Sequence, residues 1–348
     1  MNKLLSEFFI NIWMRKNKIN LRKKESIVNL IVNQLLALIW GSHKRRRVVH
    51  TKIVINKFAF FYFFSYHYDM LSYIGGKSKI GKWIVEYYPK DMEVYLETFG
   101  GMFWCFFNMD LAQFPNLKQV VYNDFNPLNY NLFKCIQNPS ELQRALDSVS
   151  VQQLGVSETP IEFREKFIRF QQEIFSENFV VNSPDYEVAA KYVYIVTQVF
   201  SGSRPETSSF IDLKGKYRSK YLSFRDKLSK PDWIEHFLKI SEVRNLDFSS
   251  AIGEFDSENT FIYLDPPYFK TENYYSNHDF DRDDHERLAN VLRSCYGKFA
   301  LSYYDFPLLH DWFLEEKYRW ERKKFVKAAA AKKNVKQNLG EELLILNF

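Results

Sequence analysis

Cysteine is scarce in this chain. Its 348 residues hold three, Cys105, Cys135 and Cys295, far apart and without metal-ligand spacing. That excludes a small disulfide-built scaffold and a cysteine-ligated metal, and it predicts reduced thiols in an intracellular, cytoplasmic protein. Long apolar runs are missing as well. Residues 27–40 are apolar but interrupted by Asn and Gln and too short to cross a bilayer. Residues 58–64 are shorter still, so neither a membrane span nor a signal peptide is expected. The first 69 residues lack punctuation, with Gly41 as their sole Gly and no Pro, and they lack acids: 13 Lys and Arg stand against 3. The chain's net charge of +6 is therefore a basic extension of +10 joined to a body of −4, and global basicity makes no case for nucleic-acid binding by that body.

Aromatic residues are abundant, at 18%, and 348 residues suffice for one large core or two. The organising stretch runs Phe261-Ile262-Tyr263-Leu264-Asp265-Pro266-Pro267-Tyr268. Four strand-forming residues, apolar on both faces, predict a buried central strand that stops at Asp265. Pro266 and Pro267 have fixed φ and no N–H, so the backbone beyond the strand is stiff and leaves the ladder. Such a turn lies at the carboxyl edge of a sheet, where open α/β folds bind ligands. A carboxylate, an unpaired carbonyl and a ring held there suit the exocyclic amine of a nucleobase. Asp265 and the Pro266 carbonyl can each accept an N–H, and Tyr268 can stack on an extruded base. A capping Asp with a core Tyr is the alternative.

The rest of the chain supplies a frame. Residues 1–69 carry Lys/Arg clusters, Lys44 to Arg47 among them, with a predicted amphipathic helix over 27–40 and no assigned role. Tyr73-Ile74-Gly75-Gly76-Lys77 joins a glycine turn to a lysine suited to an anionic ligand. Val94 to Gly101 reads as a strand entering a glycine turn and a helix from about Met102, the first βα turn of a nucleotide-binding unit, with Phe103 where a third Gly would be expected. A second strand, Gln119 to Asn123, ends in Asp124, placed either to accept from a ribose or to cap the helix that begins near Pro127. Residues 140–235 break this rhythm with helical periods over 159–175 and 184–200, the second capped by Ser183 with Pro184 in its first turn. Basic and aromatic residues interleave from Lys214 to Arg225, suiting phosphate contacts plus base stacking or an ordinary solvated hairpin. Acids at 281–286 open a helix rather than a metal site at His285. Strands follow over 298–304, 320–326 and 342–348, and a basic loop at 327–336 offers further phosphate contacts.

Taken together, Tyr73-Ile74-Gly75-Gly76-Lys77, Glu97-Thr98-Phe99-Gly100-Gly101, Asn123-Asp124-Phe125-Asn126, Asp265-Pro266-Pro267-Tyr268, Leu301-Ser302-Tyr303 and Gly340-Glu341-Glu342-Leu343-Leu344 resemble the Dam-like, D12-class DNA adenine-N6 methyltransferases from about residue 71 to the end. The resemblance implies an α/β, Rossmann-like S-adenosylmethionine-dependent methyltransferase fold, with a mixed sheet and an inserted, mainly helical target-recognition subdomain. It divides the chain into an extension (1–69), a catalytic domain (70–150 with 236–348) and a recognition subdomain (151–235). It implies double-stranded DNA as partner, no metal, and catalysis by Asp265, Pro266, Pro267 and Tyr268. Tyr73 and Lys77 would line the methionine end of the cofactor, Phe99 and Gly101 its backbone, and Asp124 its ribose. Asp247-Phe248 would border its adenine, and Asp265 would stand between cofactor and amine. Lys216, Arg218, Lys220, Arg225, Lys332 and Lys333 are the candidate DNA contacts. Two departures stand out: Thr98 replaces the family's usual Pro, and Met102-Phe103 its later Gly. Cytosine N4 or an RNA base as target, and a non-catalytic DNA-binding protein on the same fold, are the alternatives.

Overall fold

The computed structural model describes residues 71, 76–77, 80–149, 160–176, 179–199, 204–209, 218–269, 280–326 and 339–348. The chain divides into two units, Met1–His67 and Tyr68–Phe348, and the described residues belong to the second. The basic extension, Tyr73, Lys216, Lys332 and Lys333 lie outside the described residues.

Among the described residues, seven strands form one sheet in the order β3-β2-β1-β4-β5-β7-β6. They are β1 (Val94–Glu97), β2 (Gln119–Asn123), β3 (Glu242–Arg244), β4 (Thr260–Leu264), β5 (Lys298–Tyr303), β6 (Arg319–Val326) and β7 (Leu339–Leu346). The pairings from β3 through β5 are parallel, and β7 runs antiparallel to both β5 and β6. The chain builds outward from β1 to β3, then returns to add β4 on the other side of β1. The topological switch therefore falls between β1 and β4, and the crevice outside their carboxyl ends is where such a sheet takes its ligand. β4 is buried along its whole length, as its unbroken apolar run requires.

Alternation of side chains splits the core between the sheet's faces. Tyr95, Phe261, Ala300 and Leu344 face one cluster; Leu96, Ile262, Leu301 and Ile345 face the other. Helices α1 (Gly81–Val85), α2 (Trp104–Phe107), α3 (Pro127–Ile136), α4 (Pro139–Val149), α5 (Pro160–Ile174), α6 (Tyr186–Gln198), α7 (Arg218–Lys227) and α8 (Pro231–Lys239) all contribute to the first. Helices α9 (Phe248–Phe255), α10 (Arg282–Ser294) and α11 (Pro307–Trp312) contribute to the second. The helices between β2 and β3 thus share a core with the sheet.

Their ends obey local chemistry, with one correction to the sequence reading. α6 begins at Tyr186, capped by Asp185, whose side chain accepts from the Val188 N–H; Ser183 and Pro184 lie outside it. An N-cap side chain reaches the amide two or three residues on, which is the spacing from Asp185 to Val188 and not from Ser183. Asp281 and Asp284 close a capping box on α10, as the acid run implies.

Phe103, where the family's later glycine is absent, keeps a glycine-like backbone at φ 54°. A left-handed turn at a residue with a Cβ costs about 1–2 kcal/mol. Packing holds it there: the ring is wholly buried, stacks 4.7 Å from Phe106, and meets Tyr122 and Phe133 edge-on. Gly100 is required for a different reason. A Cβ at that position would lie 2.3 Å from the Tyr122 ring, which itself stacks 3.9 Å from Phe133. Gly100→Ala is predicted to force that ring aside and destabilise the protein by about 1–3 kcal/mol. An unchanged urea midpoint would show that the ring yields freely.

Candidate functional site

The turn after β1 is built from backbone outward. Gly101 sits at φ 48°, a conformation glycine adopts without strain. The Gly100 N–H donates to the Asn123 carbonyl, and the Tyr122 hydroxyl to the Gly101 carbonyl (2.9 Å). Asp124, at the end of β2, accepts from the Gly101 N–H at 2.6 Å and from the Asn126 N–H at 2.8 Å. Asn126, not Asp124, caps α3. Asp124 is therefore free of the capping role and ties the glycine turn to the adjacent strand end.

Phe99 leaves this turn on the other face and joins Phe248 (5.6 Å) and Phe280 (5.8 Å) in a three-ring cluster. Asp247, which precedes Phe248, caps α9 and is gripped by both guanidinium nitrogens of Arg287 at 2.7 and 2.8 Å. That ion pair, helped by Ser249, holds its carboxyl down at about 2 despite partial burial. The Arg287 guanidinium also lies 4.1 Å over the Phe248 ring.

The second half of the site gathers around Lys77. Its ammonium lies 2.7 Å from Asp265 Oδ1 and 3.2 Å from Glu342 Oε1, and donates to the Tyr268 hydroxyl at 2.5 Å. The Tyr268 hydroxyl in turn donates to Glu342, which also accepts from Ser302 Oγ at 2.8 Å. Lys77 and Glu342 are buried, whereas Asp265 keeps 17% of its side chain open to solvent. Pro266 and Pro267 are buried behind it. Tyr268 is buried too, its ring edge-on to half-buried Tyr304 at 4.4 Å.

Topology explains the convergence. Glu97, Tyr263, Ser302 and Glu342 share a face with Tyr95, Phe261, Ala300 and Leu344, two residues apart on β1, β4, β5 and β7. All four polar residues are buried. Because β7 is antiparallel, its first residues lie at the carboxyl ends of the parallel strands, and Glu342 reaches the site. Burial pushes the Glu97 carboxyl well up, opposed by a 2.6 Å hydrogen bond from the Tyr95 hydroxyl. Burial likewise raises Asp265 to about 6; Lys77 pulls it down and Glu342 pushes it up.

Of the predicted site residues, Lys77, Asp265 and Tyr268 are in mutual contact, and Asp124 and Gly101 are bonded to each other. Lys77 meets the acid of the Asp-Pro-Pro-Tyr turn, where the resemblance implied a place at the cofactor's methionine end. Among the candidate DNA contacts, Arg225 binds Asp147 with two nitrogens and fastens α7 to α4. Lys220 is half-exposed on α7, and Arg218 begins that helix. The reading of individual residues passed over Glu97, Ser302 and Glu342 as members of the site. Period-2 alternation on three apolar strands, each broken by one inward polar residue, was the available signal. His285 is buried, with Nδ1 2.6 Å from the Tyr303 hydroxyl. No group of three or more His, Cys, Asp or Glu among the described residues is arranged to hold a metal ion. No helix among them is long and apolar enough to cross a membrane.

A sheet whose switch point carries a glycine turn, an acid on the next strand and a buried Asp-Pro-Pro-Tyr corner defines an α/β methyltransferase. Residues 73–327 match the family described as D12 class N6 adenine-specific DNA methyltransferase, and the chain belongs to it. Modification methylase StsI of Streptococcus sanguinis is 24% identical over 233 residues, 64% of this chain and 32% of its own length. This chain thus spans about a third of that relative. Type II methyltransferase M.MjaIII of Methanocaldococcus jannaschii is 25% identical over 64% of this chain and 78% of its own length. Type II methyltransferase M.CviBI of Paramecium bursaria Chlorella virus NC1A is 22% identical over 72% and 91% respectively. Among solved structures, the rRNA methyltransferase aviRa of Streptomyces viridochromogenes is similar over 73% of this chain and 76% of its own, at 12% identity and a TM-score of 0.26.

The Lys77–Asp265 contact makes a prediction that needs no substrate. In a carbon-13 carboxyl titration Asp265 is expected to change charge at about 6, neutral below and ionised above. Replacing Lys77 with Met removes the cation that favours the ionised form, so the midpoint should rise by about one unit or more. A midpoint unmoved by Lys77→Met would show that the ammonium does not set this carboxyl.

Proposed function

We propose that the chain transfers a methyl group from S-adenosylmethionine to the N6 amine of an adenine turned out of double-stranded DNA at a specific sequence. The observation that carries this reading is the half-closed Asp265, rigid on its proline corner at the crevice between β4 and β1, with Lys77 holding its charge.

The residues around the switch point fit such a cofactor. Asp124 sets a carboxylate at the end of β2, the position from which an acid binds ribose hydroxyls in such folds. The Thr98 hydroxyl is buried beside the glycine turn with no hydrogen-bond partner among the described residues. The rings of Phe99 and Phe248 offer a flat apolar wall. When bound, the cofactor supplies a methyl group already activated on a sulfonium, so the protein's work is alignment rather than bond polarisation.

Asp265 performs the central part of that work. An aromatic amine is a weak nucleophile because its lone pair is delocalised into the ring. One N–H donated to Asp265 and one to the Pro266 carbonyl draw the nitrogen toward tetrahedral geometry and localise the pair for attack. Forming the N–C bond would break the donor's C–S bond, leaving a neutral thioether, and would place the positive charge on the nitrogen beside the carboxylate. The excess proton leaves that nitrogen for Asp265 or for water. Tyr268 has its hydroxyl anchored by Lys77 and Glu342, so its ring is fixed as one wall of the base pocket, with Tyr304 against it.

Lys220 and Arg218 on α7 are candidates for backbone phosphates, with Lys216, Lys332 and Lys333 beyond the described residues. Arg225 stabilises the helix that carries them.

Asp265→Asn keeps size and shape but loses the charge, and should lower single-turnover methylation by about a hundredfold or more. Calorimetric affinity for S-adenosylmethionine should stay within a few-fold. The readout is labelled methyl incorporated into genomic DNA, followed by nucleoside analysis. Near-normal turnover by the variant, or label in N4-methylcytosine instead of N6-methyladenine, would refute the assignment.

A further inference from the structure

We propose that Glu342 is a positioning residue for methyl transfer, dividing the charge of Lys77 between itself and Asp265 so that Asp265 remains an effective acceptor for the target amine. The proposal rests on the reading of Asp265 given above.

Glu342 has no structural need to be ionisable. It is 1% exposed on β7, on a face otherwise occupied by Leu344 and Leu346, where an apolar residue would pack at no cost in desolvation. Yet one of its oxygens, Oε1, receives three donors: the Lys77 ammonium at 3.2 Å, the Ser302 hydroxyl at 2.8 Å and the Tyr268 hydroxyl. Each donor comes from a different element, respectively the strap before α1, β5 and the turn after β4. Lys77 lies closer to Asp265, at 2.7 Å, and is thus shared unequally between two carboxylates.

The chemistry of the shared cation follows. With Lys77 as its sole partner, Asp265 would be a tightly paired anion and a poor acceptor for an uncharged amine. With no cation, burial would leave it protonated at neutral pH. Glu342 draws part of the ammonium's field away and sets Asp265 between these extremes. Lys77 and Tyr268 bond to Asp265 and Glu342 acts on it through its charge; Glu97, Tyr263, Cys105 and Tyr304 also lie within its electrostatic reach. Of these, Lys77 alone carries a positive charge, so any change in how it is shared must register on Asp265.

Signs can be assigned. Asp265 acts ionised, so activity rises with pH through its titration. Glu342→Gln keeps the size and an oxygen acceptor for Ser302 and Tyr268 but removes the negative charge. Lys77 then pairs with Asp265 alone, and the acid limb of the single-turnover pH profile should move down by about one unit. The plateau rate should fall about tenfold or more, because the more tightly paired carboxylate accepts more weakly. Ser302→Ala has the opposite sign. Losing one donor leaves Glu342 a stronger partner for Lys77, which moves the acid limb up by a few tenths of a unit.

The experiment measures single-turnover methylation against pH for the full chain and both variants. It is paired with carbon-13 carboxyl titration of Asp265, assigned by the resonance lost in Asp265→Asn. Displacements of opposite sign in the two variants, seen in both readouts, support the proposal. A folded Glu342→Gln with an unmoved Asp265 midpoint overturns it, whatever its activity. Should that variant not fold, an unmoved midpoint in Ser302→Ala overturns it equally. Midpoints that move as expected in the two variants, while the wild-type chain methylates no adenine, would instead sink the functional reading and leave the charge-sharing intact.

Discussion

One buried ammonium, that of Lys77, organises the site. It closes on Asp265 and Glu342, two carboxylates brought from opposite directions of the same sheet edge. Taking three charged groups out of water is expensive, and such clusters seldom add net stability over a well-packed apolar alternative. Removing one member is worse, because it strands the others. The cluster is therefore better understood as a device that fixes geometry. It pins the strap at residue 77 to the end of β4 and the start of β7, and through the Tyr268 hydroxyl it pins the aromatic that ends the proline corner.

That device needs the antiparallel strand. A sheet made solely of parallel strands presents only carboxyl-terminal residues at its ligand edge. β7 threads between β5 and β6 in the opposite sense and presents its beginning instead. Its Leu344 pairs with Ser302 and its Leu343 with Tyr303, which sets Glu342 just past the end of β5. The mixed sheet thus shapes the site directly, by delivering to the crevice a side chain that a parallel sheet would place at the far edge. The glycine turn shows the same economy. Asp124 is relieved of helix capping by Asn126 and can bind the turn, while Phe103 holds through packing a backbone conformation that glycine would adopt unaided.

Much of this was legible in the sequence. The unbroken apolar run of β4 with its acid–proline end, the β1 glycine turn and the acid after β2 each have a local physical signature. The motifs stand in an order that matches the family. Glu342 was not legible as a site residue because Glu341 stands beside it. The two are chemically identical, and only alternation on β7 turns one inward and the other to solvent. The ion pairs of Lys77 were not legible either, since nothing local says that a lysine at residue 77 meets an acid at 265 and another at 342. Arg225 lay in a basic-aromatic stretch that suggested phosphate contacts, yet Asp147, 78 residues away, binds it. Long-range ion pairs are set by tertiary packing, and composition is silent about them.

The placement of charge suits the proposed chemistry in a way that burial alone would not. Burial favours the neutral carboxyl, and a neutral Asp265 would offer a nucleobase amine one fewer acceptor. A cation in contact corrects this, but a cation wholly committed to Asp265 would cancel the field felt by the amine. Two carboxylates sharing one ammonium leave the cluster with a net negative charge. Methyl transfer brings positive charge toward the nitrogen held against Asp265. A site already negative there favours the charged arrangement over the neutral reactants. The fixed proline corner ensures that little reorganisation is needed to do so.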